Sequence, residues 1–314
     1  MLAPRCPSMP SAMFFKNLFI YRFPTSLDFS QLEEQLQSMP LKSVGAQELM
    51  STGFVSPFGE DGKVFSHRAG QAILIAAGKE ERLLPGAVVN AEVNKRAKKI
   101  EADSGKAVKG KAKKALKEEI IFEMLPKAFI RPSRTFGYID LQRGLLILDT
   151  ASEKGAEGIV SMIRQVVGSF PAIPSAGSIS VRGLMTGWLS GEELPEKWLL
   201  GEACELKDPI EGGATVRATS QELLAEEIKN HLEAGKQVTK LALTHDGRIN
   251  FTLSESPAIG KVKLLEGALE SMSGTETEDL QQEMDARLVL MHGEFGDLID
   301  HLALTIQWEP LEGN

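Results

Sequence analysis

The 314-residue sequence has little of what marks secreted or membrane-spanning proteins. It contains only two cysteines, Cys6 and Cys204, which are too few for a framework of disulfide bridges. Its apolar stretches, such as Leu145–Leu148, fall far short of the roughly 18 residues that cross a bilayer. The first fifteen residues also lack the apolar segment of a signal peptide. We therefore expect a reduced, cytoplasmic protein with no membrane partner.

Length and composition are those of an ordinary globular protein. A chain of 314 residues allows two domains, or one large and one small. The chain has 42% hydrophobic and 25% charged residues, and this composition excludes the disordered, collagenous and coiled-coil classes for the chain as a whole. The net charge of -8, taken alone, argues against nucleic acid as a partner, because phosphate binding needs Lys and Arg.

The pattern of elements predicts an α+β fold with an inserted helical arm. Strand-like segments are expected near 14–23, 71–77, 136–140 and 144–150, and an amphipathic helix is expected at 153–167. Between Pro85 and Pro126 the composition shifts to Ala, Lys and Glu, which favours two helices, at about 87–104 and 109–124, with Gly105 and Gly110 at the break. Beyond Pro174 we expect strands at 179–185, 199–206 and 215–218, a hairpin at 238–244 and 249–253, and helices at 221–233 and 278–290.

These elements suggest four parts. We expect residues 1–12 to be an extension outside the fold, since Met13 could itself be a start and the first twelve residues show no periodicity. A central domain with a mixed sheet is predicted over 13–84 and 127–175, interrupted by the arm at 85–126. A second α+β domain is predicted over 176–314.

The charge is unevenly distributed along the chain. Residues 95–117 contain ten basic side chains and two acids, a local net charge of +8, so the remainder carries -16. Residues 266–300 alone carry -9. A run of lysines is commonly the solvated face of a surface helix, but such helices usually mix signs, and this run has no acid from 105 to 116. We favour contact with an anionic partner. The basic residues are Lys95, Arg96, Lys98, Lys99, Lys106, Lys109, Lys111, Lys113, Lys114 and Lys117.

The residue types in this run favour phosphate over base edges. Lysine is a flexible point charge without the planar fork that pairs with guanine, and the run has one Arg and no aromatic side chain for stacking. The expectation is duplex binding without sequence preference. Lys127, Arg131 and Arg134 extend the basic surface. Phe129 among them is either a cap on the arm's own core or a contact to another subunit.

Signals for catalysis are weak. The segment GKAVKGKA (105–112) is close to a phosphate-binding loop, but Ala112 replaces the hydroxyl that would hold magnesium. The five histidines show no metal-binding spacing, so no metal site or cofactor is predicted, and Cys204 has the features of a core thiol. Asp140 and Asp149, at strand ends, are candidate ligands of a metal-dependent nuclease, although turn formation explains them equally well. Docking of an acidic protein on the lysine-rich arm is a further alternative.

Several segments together resemble the RdgC family of bacterial recombination-associated proteins. They are MFFKNLFIYRF from Met13, KEERLLP (79–85), the basic helical insertion, MLPKAFIRPSRTFGYID (124–140), GLLILDTAS (144–152) and TVRATSQELLAEEIKNHLEAGKQVTKLAL (215–243). The resemblance covers residues 13–308, and only 1–12 depart from it.

The resemblance implies a function as well as a fold. Family members are expected to form a ring-shaped homodimer that encircles double-stranded DNA. The two chains are expected to contact each other through the tips of their helical arms and through their second α+β domains. Single-stranded DNA remains open as a ligand. Such a ring restrains RecA-promoted strand exchange by occupying DNA, acts in recombination and replication, is nucleoid-associated and is not an enzyme. Phe129 matches the tip-interface aromatic of the family. The positions that fall in its best-marked motif are Arg217, Gln221, Lys236 and Lys240.

Overall fold

The computed structural model describes residues 14–59, 62–210, 212–272, 279–308 and 311. Within them the chain forms two compact units. The larger unit is built from the described residues up to Leu36, from Ser56–Ala76, and from Thr135 onward. The smaller unit is built from Gln37–Val55 and Ala77–Arg134. The extension expected at 1–12 lies outside the described residues, and the four-part division stays a prediction.

The smaller unit combines three strand segments with a helical hairpin. Its elements are β2 (Met50–Val55), the second part of β4 (Ala72–Leu83), α2 (Gly86–Ser104), α3 (Gly110–Met124), a 3-10 turn (Leu125–Lys127) and the first part of β5 (Phe129–Asp140). Strand β4 lies between β2 and β5. The Arg82 guanidinium donates to the carbonyl oxygens of Gly45 (3.2 Å), Leu125 (3.1 Å) and Ala128 (3.3 Å), so it ties the end of the hairpin to the strands.

The larger unit holds the main sheet and the remaining helices. Its elements are β1 (Leu18–Arg22), α1 (Leu32–Gln37), β3 (Ser66–Ala69), β6 (Leu145–Leu148), α4 (Glu153–Val167), β7 (Ile173–Pro174), α5 (Val181–Leu189), β8 (Trp198–Lys207), β9 (Thr215–Thr219), α6 (Glu226–Glu233), β10 (Gln237–His245), β11 (Ile249–Ser254), β12 (Ala258–Leu264), α7 (Glu266–Leu269), a 3-10 turn (Glu270–Met272) and α8 (Leu280–Thr305). Strand order from β5 is β5-β6-β1-β12-β11-β10-β8-β9.

A buried centre of this sheet explains its apolar sequence. All five residues of β1 are buried, and the strand pairs with β6 on one side and with β12 and β7 on the other. Helix α8 packs Leu288, Met291, Phe295 and Leu302 into the same core. Apolar residues at helical spacing therefore bury one stripe of α8.

The α+β class is confirmed, as are the predicted helices α2, α3 and α4. Strand pairs with a defined register are antiparallel, which corrects the expected mixed sheet. The strand predicted at 179–185 is wrong, since this segment begins helix α5. Ser180 caps that helix by accepting a hydrogen bond from the Gly183 N–H, and Met185, Trp188 and Leu189 bury one face.

The acidic helix α8 runs to Thr305, well beyond the predicted end near Leu290. Strands β2, β3 and β12 were not predicted. Among the described residues, no helix has both the length and the apolar character needed to cross a membrane. Cys204 is a buried core thiol as expected, and burial raises its pKa to about 11.

Candidate nucleic-acid interface

Two glycines delimit the turn of the helical hairpin. Helix α2 ends at Ser104 and is capped by Gly105, which has φ 70° and donates its N–H to the Glu101 carbonyl, and α3 begins at Gly110 with φ 57°. Positive φ is costly for residues with a Cβ, so glycine suits both positions. The sequence between them, 106–109, is an exposed loop apart from half-buried Val108.

A small apolar core holds the two helices together. Val89 and Val93 of α2 are buried against Leu116 and Ile120 of α3. Each pair is spaced by four residues and so lies on one helical face.

Arg96 is committed to the hairpin rather than to a ligand. Its Nη1 and Nη2 donate to the two carboxylate oxygens of Glu123 at 3.1 and 2.6 Å, and its Nε donates to Glu92 at 3.1 Å. The hydrogen bonds to Glu123, and then to Glu92, raise the pKa of the guanidinium. A bidentate pair across α2 and α3 fixes their register. Arg96 is thus a structural member of the predicted basic set.

The nine lysines of residues 95–117 are all exposed. Three have a polar contact: Lys95 lies 3.9 Å from Glu92, Lys114 lies 3.9 Å from Glu118, and Lys113 donates to Asn94 at 3.2 Å. Within the described part of the chain the other six form no ion pair. These are Lys98, Lys99, Lys106, Lys109, Lys111 and Lys117.

The N-terminus of α3 concentrates positive charge where a helix tolerates it least. Lys109 is the N-cap, with no side-chain cap hydrogen bond, and Lys111, Lys113 and Lys114 follow within the first turns. No acidic residue occupies the first turn. Because the N-terminal end of a helix already carries partial positive charge, these lysines destabilise α3 and leave its free N–H groups facing the same region. An anion placed there relieves both costs.

The predicted residues around the start of β5 are also exposed. Phe129 is 83% exposed, the largest value among the exposed apolar side chains of the described chain. Arg131 pairs with Glu81 at 2.9 Å, while Lys127 and Arg134 lie on the surface. Sequence reasoning missed Phe122, which is 62% exposed on α3. Its position off the buried Leu116–Ile120 stripe was the available signal.

Two of the four predicted residues of the larger unit share one carboxylate. Arg217 on β9 and Lys240 on β10 both lie opposite Glu205 of β8 in the strand register. The Arg217 Nε donates to Glu205 at 2.7 Å, and the Lys240 Nζ lies 3.4 Å from it. The hydrogen bond from Arg217 is the main reason that the pKa of Glu205 is lowered.

The other two predicted residues of this unit make different contacts. The Gln221 amide donates to Glu227 at 3.5 Å. The backbone N–H of Lys236 donates to the His231 carbonyl at 3.1 Å, just after α6. Neither residue takes part in the hydrogen bonds to Glu205 given for Arg217 and Lys240.

The two candidate nuclease aspartates already have structural partners. Asp140 is 1% exposed, accepts from the N–H groups of Gln142 and Arg143 at 2.9 Å, and lies 3.1 Å from Nε2 of His292. Burial raises the pKa of Asp140, but hydrogen bonds led by that of His292 outweigh it and lower the pKa overall. Asp149 accepts from the N–H groups of residues 16 and 17 at 2.9 Å. Both carboxylates hold backbone in place.

Comparison with known proteins shows the family to which the chain belongs. A family model described as "Putative exonuclease, RdgC" matches residues 13–309. The chain belongs to the RdgC family. This assignment confirms the resemblance seen in the sequence.

RdgC relatives from Xanthomonas and Xylella match nearly end to end. "Recombination-associated protein RdgC" of Xanthomonas campestris pv. campestris (strain B100) is 48% identical over 283 residues, covering 90% of this chain and 94% of the relative. The protein of the same name from Xanthomonas oryzae pv. oryzae (strain PXO99A) is 47% identical, covering 96% and 100%. That of Xylella fastidiosa (strain 9a5c) is 44% identical, covering 90% and 94%. The names of these relatives place the RdgC family in recombination.

Proposed function

We propose that this RdgC family member binds duplex DNA without sequence preference, through the lysine-rich helical hairpin. The observation that carries the proposal is the set of exposed lysines with no ion pair, several of them crowded at the destabilised N-terminus of α3. A surface helix selected for stability pairs its charges or places acids in its first turn. A phosphate backbone supplies the missing negative charge.

The hairpin chemistry supports duplex binding over base reading. Arg96, the sole arginine of residues 95–117, is occupied by Glu92 and Glu123, so no free guanidinium is left there to pair with guanine edges. Lysine–phosphate contacts release counterions, and their affinity therefore falls with salt. If six lysines each contact one phosphate, log K falls with log salt at a slope of about -5.

We infer further that two chains close into a ring around DNA and restrain RecA-promoted strand exchange by occupying it. Support comes from the family resemblance and from Phe129, whose 83% exposure suits a contact with a second copy. Two copies double the local charge of +8. Closure also adds a topological restraint to individually weak phosphate contacts. The protein is proposed to act without catalysing a reaction.

Matched triple variants test the hairpin as the DNA contact. A triple variant that replaces Lys106, Lys109 and Lys111 with Gln should lower the magnitude of the salt slope of DNA binding by about 3 per chain. The slope is measured by anisotropy of a labelled random-sequence duplex. The control variant replaces three exposed lysines, at 154, 261 and 263, with Gln. It removes the same charge elsewhere in the chain and should leave the salt slope unchanged. Equal effects of both triples would refute a specific role for the hairpin. Retention of wild type on heparin but not on duplex DNA would instead favour docking of an acidic protein.

Ring closure is tested by topology. Phe129→Ser should speed dissociation from covalently closed circular DNA, whereas release from linear DNA, where a ring can slide off the ends, should change less. Surface plasmon resonance with each DNA gives both rates. Wild-type protein that leaves circular and linear DNA equally fast would contradict encirclement.

The description of the family model favours one second candidate, exonuclease activity. The buried, hydrogen-bonded Asp140 speaks against the aspartate pair as its metal site. Incubating end-labelled linear duplex with magnesium or manganese decides the matter. If the end label is lost progressively and purified Asp140→Asn protein causes the same loss, the catalytic site must lie elsewhere. If no label is lost, the result would support a non-enzymatic role.

A further inference from the structure

Three side chains distant in sequence meet at one end of the larger unit. His245 is the last residue of β10, and Asp297 and His301 lie one turn apart on α8. One imidazole nitrogen of each histidine and one carboxylate oxygen of Asp297 lie within 4.8 Å of one another. No histidine spacing in the sequence predicted this cluster.

The cluster has the dimensions of a transition-metal site. Nε2 of His245 lies 3.7 Å from Oδ2 of Asp297. Ligands at roughly 2.0–2.1 Å from a tetrahedral zinc ion are about 3.4 Å apart. Only a shift of a few tenths of an ångström in this separation is then needed.

His245 supplies the second, independent observation. It is 2% exposed, and its Nε2 has no hydrogen-bond partner among the described residues. A buried polar atom left unsatisfied is costly unless something binds it. Its ring packs edge-to-face on Trp198, with ring centroids 6.4 Å apart, so an apolar shell backs the cluster.

The other two side chains complete a site that opens to solvent. His301 Nδ1 donates a hydrogen bond to the Asp297 carbonyl oxygen at 2.8 Å, which fixes the tautomer of the ring and leaves the lone pair of its Nε2 for a metal. The Asp297 side chain is 48% exposed and that of His301 28%. Lys197, 39% exposed, has its Nζ 4.0 Å from Asp297 and is free to withdraw into solvent.

We propose that His245, Asp297 and His301 bind one zinc ion that clips helix α8 to the end of β10. Two imidazoles and a carboxylate are a donor set that zinc accepts, and three protein ligands leave a fourth position for water. The clip stabilises the folded chain, because zinc binds this arrangement only when β10 and α8 are packed together. The site is separate from the lysines of the hairpin and independent of the DNA-binding proposal.

Zinc binding to the purified full-length chain tests the proposal. After treatment with a chelator and titration with zinc chloride, calorimetry should give one site per chain, and thermal unfolding should shift upward by roughly 5 °C at a hundredfold excess over Kd. Asp297→Asn keeps the shape of the side chain and should weaken zinc binding at least tenfold. His301→Gln should do the same.

His231→Gln is the matched control, because this histidine lies on α6 outside the cluster and its loss should change neither stoichiometry nor shift. A cobalt-loaded wild-type chain should show the visible absorption of a tetrahedral site, and Asp297→Asn should lose it. Zinc binding that is absent in wild type, or equal in wild type and both cluster variants, would overturn the proposal. His245→Ala removes the buried ligand; if that variant fails to fold, Asp297→Asn and His301→Gln still test the zinc site.

Discussion

Replacing Lys109 with aspartate should stabilise the hairpin and weaken DNA binding at the same time. Lys109 is the N-cap of α3, with extended backbone (φ -131°, ψ 165°) and no side-chain cap hydrogen bond. An aspartate there can accept from the free N–H groups of the first turn, a gain of about 1 kcal/mol. Its negative charge at the positive end of the helix adds about 0.4 kcal/mol.

The magnitudes are large enough to measure separately. A gain of about 1.4 kcal/mol slows exchange of the α3 amides about tenfold wherever exchange occurs by local opening of the hairpin. Losing one phosphate contact lowers the magnitude of the salt slope by about 0.9 per chain. At 0.1 M salt this corresponds to an affinity about eightfold weaker.

Hydrogen-exchange mass spectrometry on the whole chain and anisotropy over a salt series measure the two effects. Lys106→Asp is the matched control, since residue 106 lies in the loop before α3. It should weaken DNA binding to a similar degree and leave exchange in α3 unchanged. Slower exchange with unchanged DNA affinity for Lys109→Asp would refute the proposed role of this lysine. Unchanged exchange would refute the capping argument.

Three other predictions concern stability and charge. Ile120→Ala removes a fully buried side chain from the small hairpin core and should cost about 2–3 kcal/mol, seen as faster exchange across both helices. Because the folded-state pKa of Asp140 is lowered, its contribution to stability is complete above its unfolded pKa near 4 and lost as pH falls through the folded value. Asp140→Asn should therefore be less stable at pH 7, by about 3 kcal/mol in urea melts, with a flatter acid profile. Glu205→Gln frees the charges of Arg217 and Lys240, so duplex affinity should rise if they contact DNA, and an unchanged salt slope would exclude that contact.

The helical hairpin was predictable because its determinants are local. Ala, Lys and Glu favour helix residue by residue, and the glycines at 105 and 110 mark positions where φ is positive. The exposed lysines could be located in the same way. The prediction of a strand at 179–185 was wrong because the cap at Ser180 and the buried face that includes Trp188 favour a helix there.

Which charges are free was settled by tertiary structure. Arg96 belongs to the basic run in sequence, yet its bidentate partner Glu123 approaches only when α2 and α3 fold back on each other. Likewise, the carboxylate that joins Arg217 and Lys240 comes from the strand between them.

The sequence by itself determined the family, the α+β class and the segment where positive charge accumulates, because these follow from composition, short-range propensity and local motifs. Only the tertiary structure decided that Asp140 is a buried structural carboxylate and that His245 meets Asp297 and His301. Packing of a strand end against a helix far along the chain creates such contacts. The spacing of residues within one segment cannot predict these contacts, because the core that joins the strand to the helix fixes the distances between the side chains.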